Sequence, residues 1–219
     1  MNEFRIISVE DLIHELKKYN HKALHVHHTW KPEHKDFNGK NHLILQQGMK
    51  NYHVNVKNWK DIAQHVTLMP DGKFVTGRDF GVTPVSIRGY NTGAFAMEML
   101  GDFDVGHDLF NGSQRKSALK LARYFIETNR KIIFHNEHSY KTCPGTSINK
   151  EEFLKMAKET YRTKPYEKWQ LELGEESIKE LVKKGIINNP ENHIENLKKA
   201  SVEPWLFWTL INRVVEKGE

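Results

Sequence analysis

Apolar segments of strand length alternate along this chain with segments whose apolar residues recur at helical spacing, and this alternation restricts the fold more than any other feature. Val9, Leu12, Ile13 and Leu16 share one helical face behind Ser8-Val9-Glu10-Asp11, where a hydroxyl and an acid three residues on satisfy free N–H groups. Ala23 to Thr29 reads as a strand with Leu24 and Val26 on one face and His25 and His27 on the other. Residues 41–51 are expected to be helical. Gln64 to Met69 and Lys73 to Thr76 form a hairpin about Pro70-Asp71-Gly72, because Asp-Gly tolerates the positive φ of such turns. Ala94 to Leu100 is an apolar strand interrupted by Glu98. Ser113 is expected to cap a helix carrying the stripe Ala118, Leu121, Ala122 and Phe125; Lys131 to Phe134 is a short strand that delivers His135. Asn149 with Glu152 opens a further helix bearing Phe153, Met156 and Ala157. The pattern predicts an α/β domain with a mixed central sheet flanked by helices.

At 219 residues the chain holds one domain and a remainder of about fifty residues. Composition shifts over Tyr161–Lys168, so the α/β domain is assigned to residues 1–163 and a small all-helical module to 164–219. The module reads as helices Glu175 to Lys184, Pro190 to Ala200 and Glu203 to Glu216, with Trp169, Trp205, Phe207 and Trp208 as its aromatic anchors. A 38% hydrophobic, 28% charged composition is that of a globular chain, and the absence of an 18-residue apolar run argues against a membrane-spanning helix. One cysteine excludes an internal disulfide framework. The net charge of +5 is spread along the chain, and zinc-finger spacing, a basic-region helix and an RNP-like strand are all missing, so no nucleic-acid partner is expected. The acidic N-terminus without a continuous apolar stretch is read as carrying no signal peptide.

A lone cysteine is most often a small buried hydrophobe. Cys143, however, follows a strand, lies eight residues after His135 and precedes Pro144-Gly145. Zinc takes imidazole and thiolate ligands, and catalytic sites commonly use three protein ligands and leave the fourth position to water. His135 and Cys143 could supply two ligands across one loop, and the third would come from another strand. His27 fits at the end of its strand; His25 shares its face but sits deeper, and His28 points the other way. Asp102, Asp104, His107 and Asp108 could form a second metal cluster, but a solvated loop is the better reading.

His27-His28-Thr29, the hairpin closing in Thr76-Gly77-Arg78, Glu98-x-x-Gly101-x-Phe103 and His135-x5-Lys141-x-Cys143-Pro144 occur in that order. Together, over about residues 20–160, they resemble the zinc-dependent N-acetylmuramoyl-L-alanine amidases of type 2, a family that includes phage endolysins and the peptidoglycan recognition proteins. The resemblance implies one Zn²⁺ held by His27, His135 and Cys143. It implies cleavage of the amide joining N-acetylmuramic acid to L-alanine, with Lys141 helping to stabilise the oxyanion. Where some members carry a tyrosine this chain has Gln64, and it has Glu98, so it resembles the branch that uses a glutamate to take the proton of the attacking water and pass it to the leaving amine. His65, His28 and Trp30 are expected to line the substrate cleft, and His65 or His138 could instead orient ligands. Peptidoglycan is the implied partner, and the expected setting is cytoplasmic synthesis followed by release onto the wall, as for endolysins. A wall-binding role for the helical module and a purely packing or dimerising one both remain open.

Two other readings compete. A recognition protein of the same fold would bind peptidoglycan without cleaving it, but such proteins often lack zinc ligands, and here all three positions are filled. A cysteine peptidase would need Cys143 activated by a helix dipole or an adjacent base, and Cys143-Pro144-Gly145 opens no evident helix.

Overall fold

The structure, a computed structural model, describes residues 3–159 and 168–198. The chain divides into two compact units, Met1–Tyr161 and Arg162–Glu219.

The first unit is built on a six-stranded sheet. Its strands are β1 (Ile6–Ile7), β2 (Ala23–His28), β3 (Val66–Leu68), β4 (Phe74–Thr76), β5 (Ala94–Met99) and β6 (Lys131–Phe134), in the order β1-β4-β3-β5-β2-β6. β4 runs antiparallel to β1 and β3, whereas β5 is parallel to β3 and β2, and β2 is parallel to β6. The sheet is therefore mixed, as the hairpin requires. Helices α1 (Val9–Leu16), α2 (His42–Asn51), α3 (Gly112–Glu127) and α4 (Lys150–Glu159) accompany it, and a π-helical turn, Tyr52–Val56, continues α2.

Register sorts the central strands into two unlike faces. Leu24 and Val26 of β2 pair with Phe95 and Met97 of β5, and all four join the main apolar core together with Leu121, Ala122 and Phe125 of α3 and Phe153 and Ala157 of α4. Their neighbours in alternation, His25 and His27, pair with Ala96 and Glu98, and Thr67 of β3 pairs with Glu98 from the other side. One face of the sheet is thus mainly apolar at its centre, and the other carries a row of polar groups at mid-sheet. Every residue of β2 is buried, the pattern of a strand covered on both faces.

Local signals account for several element boundaries. The Ser8 hydroxyl accepts the Asp11 N–H at 3.1 Å and Asp11 returns the bond to the Ser8 N–H, so α1 opens with a full capping box. Asn149 Oδ1 accepts the Glu152 N–H at 3.0 Å at the start of α4. The β3–β4 turn closes with the Gly72 N–H on the Met69 carbonyl, and Gly72 has a φ of +86°. One boundary differs from expectation: α3 begins at Gly112, so Asn111 holds the cap position and Ser113 lies inside the first turn.

In the second unit, α5 (Lys168–Lys183) starts seven residues ahead of the expected Glu175, and α6 (Pro190–Lys198) follows. Gly185, at φ +64°, ends α5 by donating to the Val182 carbonyl, while Ile186 and Ile187 beyond it are buried. Most of the expected linker Tyr161–Lys168, the helix Glu203 to Glu216, and Trp205, Phe207 and Trp208 lie outside the described residues. No described helix is long and apolar enough to cross a membrane.

Candidate metal centre and cleft

Three elements converge at the carboxyl end of the parallel strands. His27 leaves β2 one residue before its end, His135 directly follows β6, and Cys143 lies on the loop that returns from His135. That loop is closed by the Asn136 N–H donating to the Cys143 carbonyl at 2.8 Å, which brings Cys143 back beside His135, eight residues before it in sequence. The His28 N–H donates to Cys143 Sγ at 3.3 Å, tying the thiol to the end of β2. The ligand-capable atoms of His27, His135 and Cys143 all lie within 4.8 Å of one another, and His27 Nδ1 is 3.5 Å from Cys143 Sγ. Among the described residues this is the one group of histidine, cysteine and acid side chains placed to hold a metal.

The segment after Cys143 is fixed against the Gly101–Phe103 turn. Asp104 accepts from the Thr142 hydroxyl and the Thr146 N–H, both at 2.9 Å, and the Ser147 N–H and hydroxyl both donate to the Phe103 carbonyl. Gly145 sits at φ +122°, and a Cβ there would stand 2.4 Å from the Phe103 carbonyl oxygen. Gly145→Ala is therefore expected to destabilise the fold by about 2 kcal/mol or more and to weaken metal binding, as measured by denaturant unfolding and metal titration. Wild-type values in both would remove Gly145 from the positioning of Cys143.

Burial sets the charge states. His27 is held well below the ordinary imidazole range by burial, reinforced by His135, His25, His28 and Lys141, and His135 is lowered by burial and then by Lys141 and His28. Both rings are neutral near pH 7 and offer lone pairs. Burial pushes the Cys143 thiol up to about 12, the His28 N–H only partly offsetting it. A thiol in that state is a poor nucleophile, which disfavours the cysteine-peptidase reading; a cation is what would make it a thiolate.

Glu98 is the register neighbour of His27, and desolvation raises its carboxyl to about 7 against the opposing pull of Lys141. Both side chains line a cleft of about 700 Å³ that also takes in His27, His135 and Cys143. Trp30 borders the same cleft, 60% exposed and at φ 59°. His28 borders it too, but its ring turns to the opposite face, where Nδ1 accepts the Phe103 N–H at 3.2 Å.

His65 is a correction. It is fully buried, Nε2 bonds the Val82 carbonyl at 2.8 Å, Nδ1 accepts the Ala96 N–H at 2.9 Å, and the ring stacks on Phe95. Both nitrogens are committed to backbone, so the side chain braces β3 against β5 rather than lining the cleft. His138 stacks on Tyr90 at 3.7 Å, and His25 stays deep in β2. The acids at 102, 104 and 108 bind loop backbone and side-chain groups of the protein, as a structural loop would.

Ser86 escaped the sequence reading. Its Oγ lies 2.6 Å from His27 Nε2 and 3.0 Å from His25 Nδ1, while Asn91 Oδ1 accepts the Ser86 N–H at 3.1 Å. The Ser86 hydroxyl can accept an Nε2–H from His27 and donate onward to His25, the arrangement that leaves His27 Nδ1, 3.5 Å from Cys143 Sγ, free for a metal. A lone serine between two elements carries no sequence signal for such a role.

A family model described as N-acetylmuramoyl-L-alanine amidase matches residues 17–146. The chain belongs to that family. A mouse N-acetylmuramoyl-L-alanine amidase is 21% identical over 131 residues, which is 57% of this chain and 24% of the relative, so the match spans about a quarter of the mouse protein. Among solved structures, the N-acetylmuramoyl-L-alanine amidase LysC of Clostridium intestinale is 25% identical with a TM-score of 0.50, covering 65% of this chain and 87% of LysC. Drosophila PGRP-LB shares the fold at 20% identity and TM-score 0.54, over 64% of this chain and 81% of its own. A Thermus scotoductus bacteriophage endolysin does so at 18% and 0.51, over 63% and 84%. The amidase family thus accounts for the mixed sheet and for the part of the chain that carries the three-residue cluster.

Proposed function

We propose that this family member is a peptidoglycan hydrolase that cleaves the amide between N-acetylmuramic acid and the L-alanine of the stem peptide, with one zinc ion held by His27, His135 and Cys143. The observation that carries the reading is the cluster of two neutral imidazoles and a thiol beside a half-buried carboxyl in one cleft. This donor set suits zinc, and the ligand atoms lie close enough together for a single ion. When bound, zinc supplies a water of lowered pKa and a Lewis acid for a carbonyl oxygen.

The chain's own groups divide the remaining work. Glu98, adjacent to His27 across the β2–β5 register, accepts the proton of the attacking water and returns it to the departing amine. A carboxyl raised toward neutrality suits both transfers. Lys141 brings a positive charge to the cleft and stabilises the oxygen that becomes negative as the carbonyl is attacked. Lys57 and Arg88 on the same lining give the cleft further positive charge for the carboxylates of a stem peptide.

Recognition without cleavage is the second reading, since the fold is shared with Drosophila PGRP-LB; the filled ligand set and Glu98 favour cleavage. The test is digestion of purified peptidoglycan by zinc-loaded and chelated protein, with products read by mass spectrometry. Intact glycan strands and free stem peptides beginning with L-alanine, lost on chelation and restored by zinc, are expected. A zinc-loaded protein that adheres to the wall and releases nothing would establish the recognition reading instead.

A further inference from the structure

Trp30 combines two features that folding alone does not favour. Its φ of 59° is a left-handed conformation that a bulky side chain adopts only under constraint, and its 60% exposure leaves little apolar burial to offset that strain. The constraint comes from hydrogen bonds on both sides. The Thr29 N–H donates to the Met99 carbonyl at 2.9 Å, and the Trp30 N–H donates to the Gly101 carbonyl at 3.0 Å. The Thr29 hydroxyl donates to the Pro32 carbonyl at 2.6 Å and accepts the Gly101 N–H at 2.8 Å. The backbone beneath the indole is thus held in place while the ring itself borders the cleft, open to solvent. Strain of this kind concentrates where a side chain meets a ligand.

Strand register shows which part of a substrate would lie there. His27 and Glu98 stand at one level of β2 and β5. Trp30 follows His27 by three residues, so it lies beyond the carboxyl ends of these strands, at most about 10 Å along the chain from the metal cluster. The cleft also extends the other way. The His65 N–H donates to the Ala96 carbonyl, which sets Ala63 near the level of Ala94, about 13 Å from Glu98 toward the amino ends of the strands. The Ala63 N–H donates to His53 Nδ1 at 3.3 Å, His53 stacks on Trp59, and Lys57 of the same turn lines the cleft. The two arms are therefore unlike. The long one carries a cation and has room for about four residues of extended peptide. The short one ends on an indole, with Asp104 on its lining. The amide to be cleaved has the same asymmetry. Its nitrogen bears a peptide with carboxylates, whereas its carbonyl leads, through one lactyl unit, to an uncharged pyranose with faces of C–H groups.

We propose that Trp30 is the platform for the muramoyl pyranose and makes the enzyme prefer amides that carry this sugar, while the stem peptide runs from Glu98 toward Ala63 and Lys57. The inference rests on the peptidoglycan reading above. Its test uses the full-length, zinc-loaded Glu98→Gln protein, in which slowed turnover lets calorimetry read binding. An N-acetylmuramoyl stem tetrapeptide is compared with the same tetrapeptide acylated by D-lactate, which keeps the scissile amide and lacks the sugar. The muramoyl ligand is expected to bind about tenfold more tightly, the effect of removing roughly 60 Å² of apolar surface from water. Trp30→Gly in the same background should bring the two ligands within about twofold; glycine adopts this φ freely, so the variant keeps the local backbone. Trp30→Phe, which keeps an aromatic face, should retain a preference for the sugar. A merely structural indole would weaken both ligands alike and leave their ratio unchanged. A preference that survives Trp30→Gly, or equal affinity of the two ligands before any change at Trp30, would overturn the proposal while leaving the peptidoglycan reading intact. Binding of neither ligand with Trp30 in place would overturn both.

Discussion

Replacing Cys143 by serine is expected to cost the protein its metal and its activity together. The thiol is buried, 3.5 Å from His27 Nδ1, and pushed up to about 12, so without a cation it is a neutral group among neutral groups. A bound ion stabilises the thiolate and is stabilised by it; a serine hydroxyl ionises far less readily and gives only a weak ligand. Changes that merely touch a metal's supporting hydrogen bonds cost about 10–100-fold in affinity, and loss of a ligand atom should exceed that range. Metal content after dialysis against a competing chelator measures the first effect, and release of stem peptides from peptidoglycan measures the second. Thermal unfolding gives an independent reading: zinc should raise the Tm of the wild-type protein and leave that of Cys143→Ser where it was, because a ligand stabilises a fold only through the site it occupies. A serine variant that keeps its zinc would remove Cys143 from the metal site.

Glu98→Gln is expected to separate chemistry from metal binding. Glutamine keeps the shape of the side chain and cannot take a proton, so the rate should fall about 10²–10⁴-fold while zinc content stays at the wild-type level. Since a protonated carboxyl cannot accept, wild-type activity should rise with pH through the Glu98 transition. That transition is at about 7 in the metal-free protein and lower with a divalent cation nearby. The same shift has a signature in stability. Because burial raises the carboxyl above its ordinary value of 4.5, the folded state holds its proton more tightly than the unfolded chain does. The contribution is full below about pH 4.5 and is lost as pH rises through about 7, where the penalty reaches roughly 3 kcal/mol. Metal-free Glu98→Gln should therefore gain stability relative to metal-free wild type between pH 5 and pH 8. A gap between the two unfolding curves that does not change with pH would show that Glu98 is not buried as an acid, and undiminished turnover in the variant would take it out of the mechanism.

Much of this site was legible in the sequence because its parts sit at strand ends. The alternation in Leu24 to His27 fixes which side chains share a face, and His135 follows immediately on a short apolar strand, so local patterning alone puts both histidines where the parallel strands end. The capping box at Ser8, the turn at Gly72 and the stripe from Ala118 to Phe125 were readable for the same reason: each is a short-range consequence of residue type at fixed spacing. His65 shows where that reasoning stops. Sequence places it next to Gln64 in a strand facing a cleft, and only the packing of Phe95 beneath it and the backbone groups of Val82 and Ala96 around it turn a candidate cleft residue into a brace. Ser86 makes the converse point. Its place beside the site depends on partners 59 and 61 residues away, His27 and His25. Sequence by itself determined most of the helices and strands, because periodicity and chemical type are local properties, and the resemblance of its ordered motifs to the amidase family supplied the three residues that meet as a cluster. Tertiary structure decided that Ser86 meets His25 and His27, that both nitrogens of His65 go to backbone groups and how far Glu98 is desolvated, because hydrogen-bond partners and burial are set by neighbours that the chain brings together only on folding.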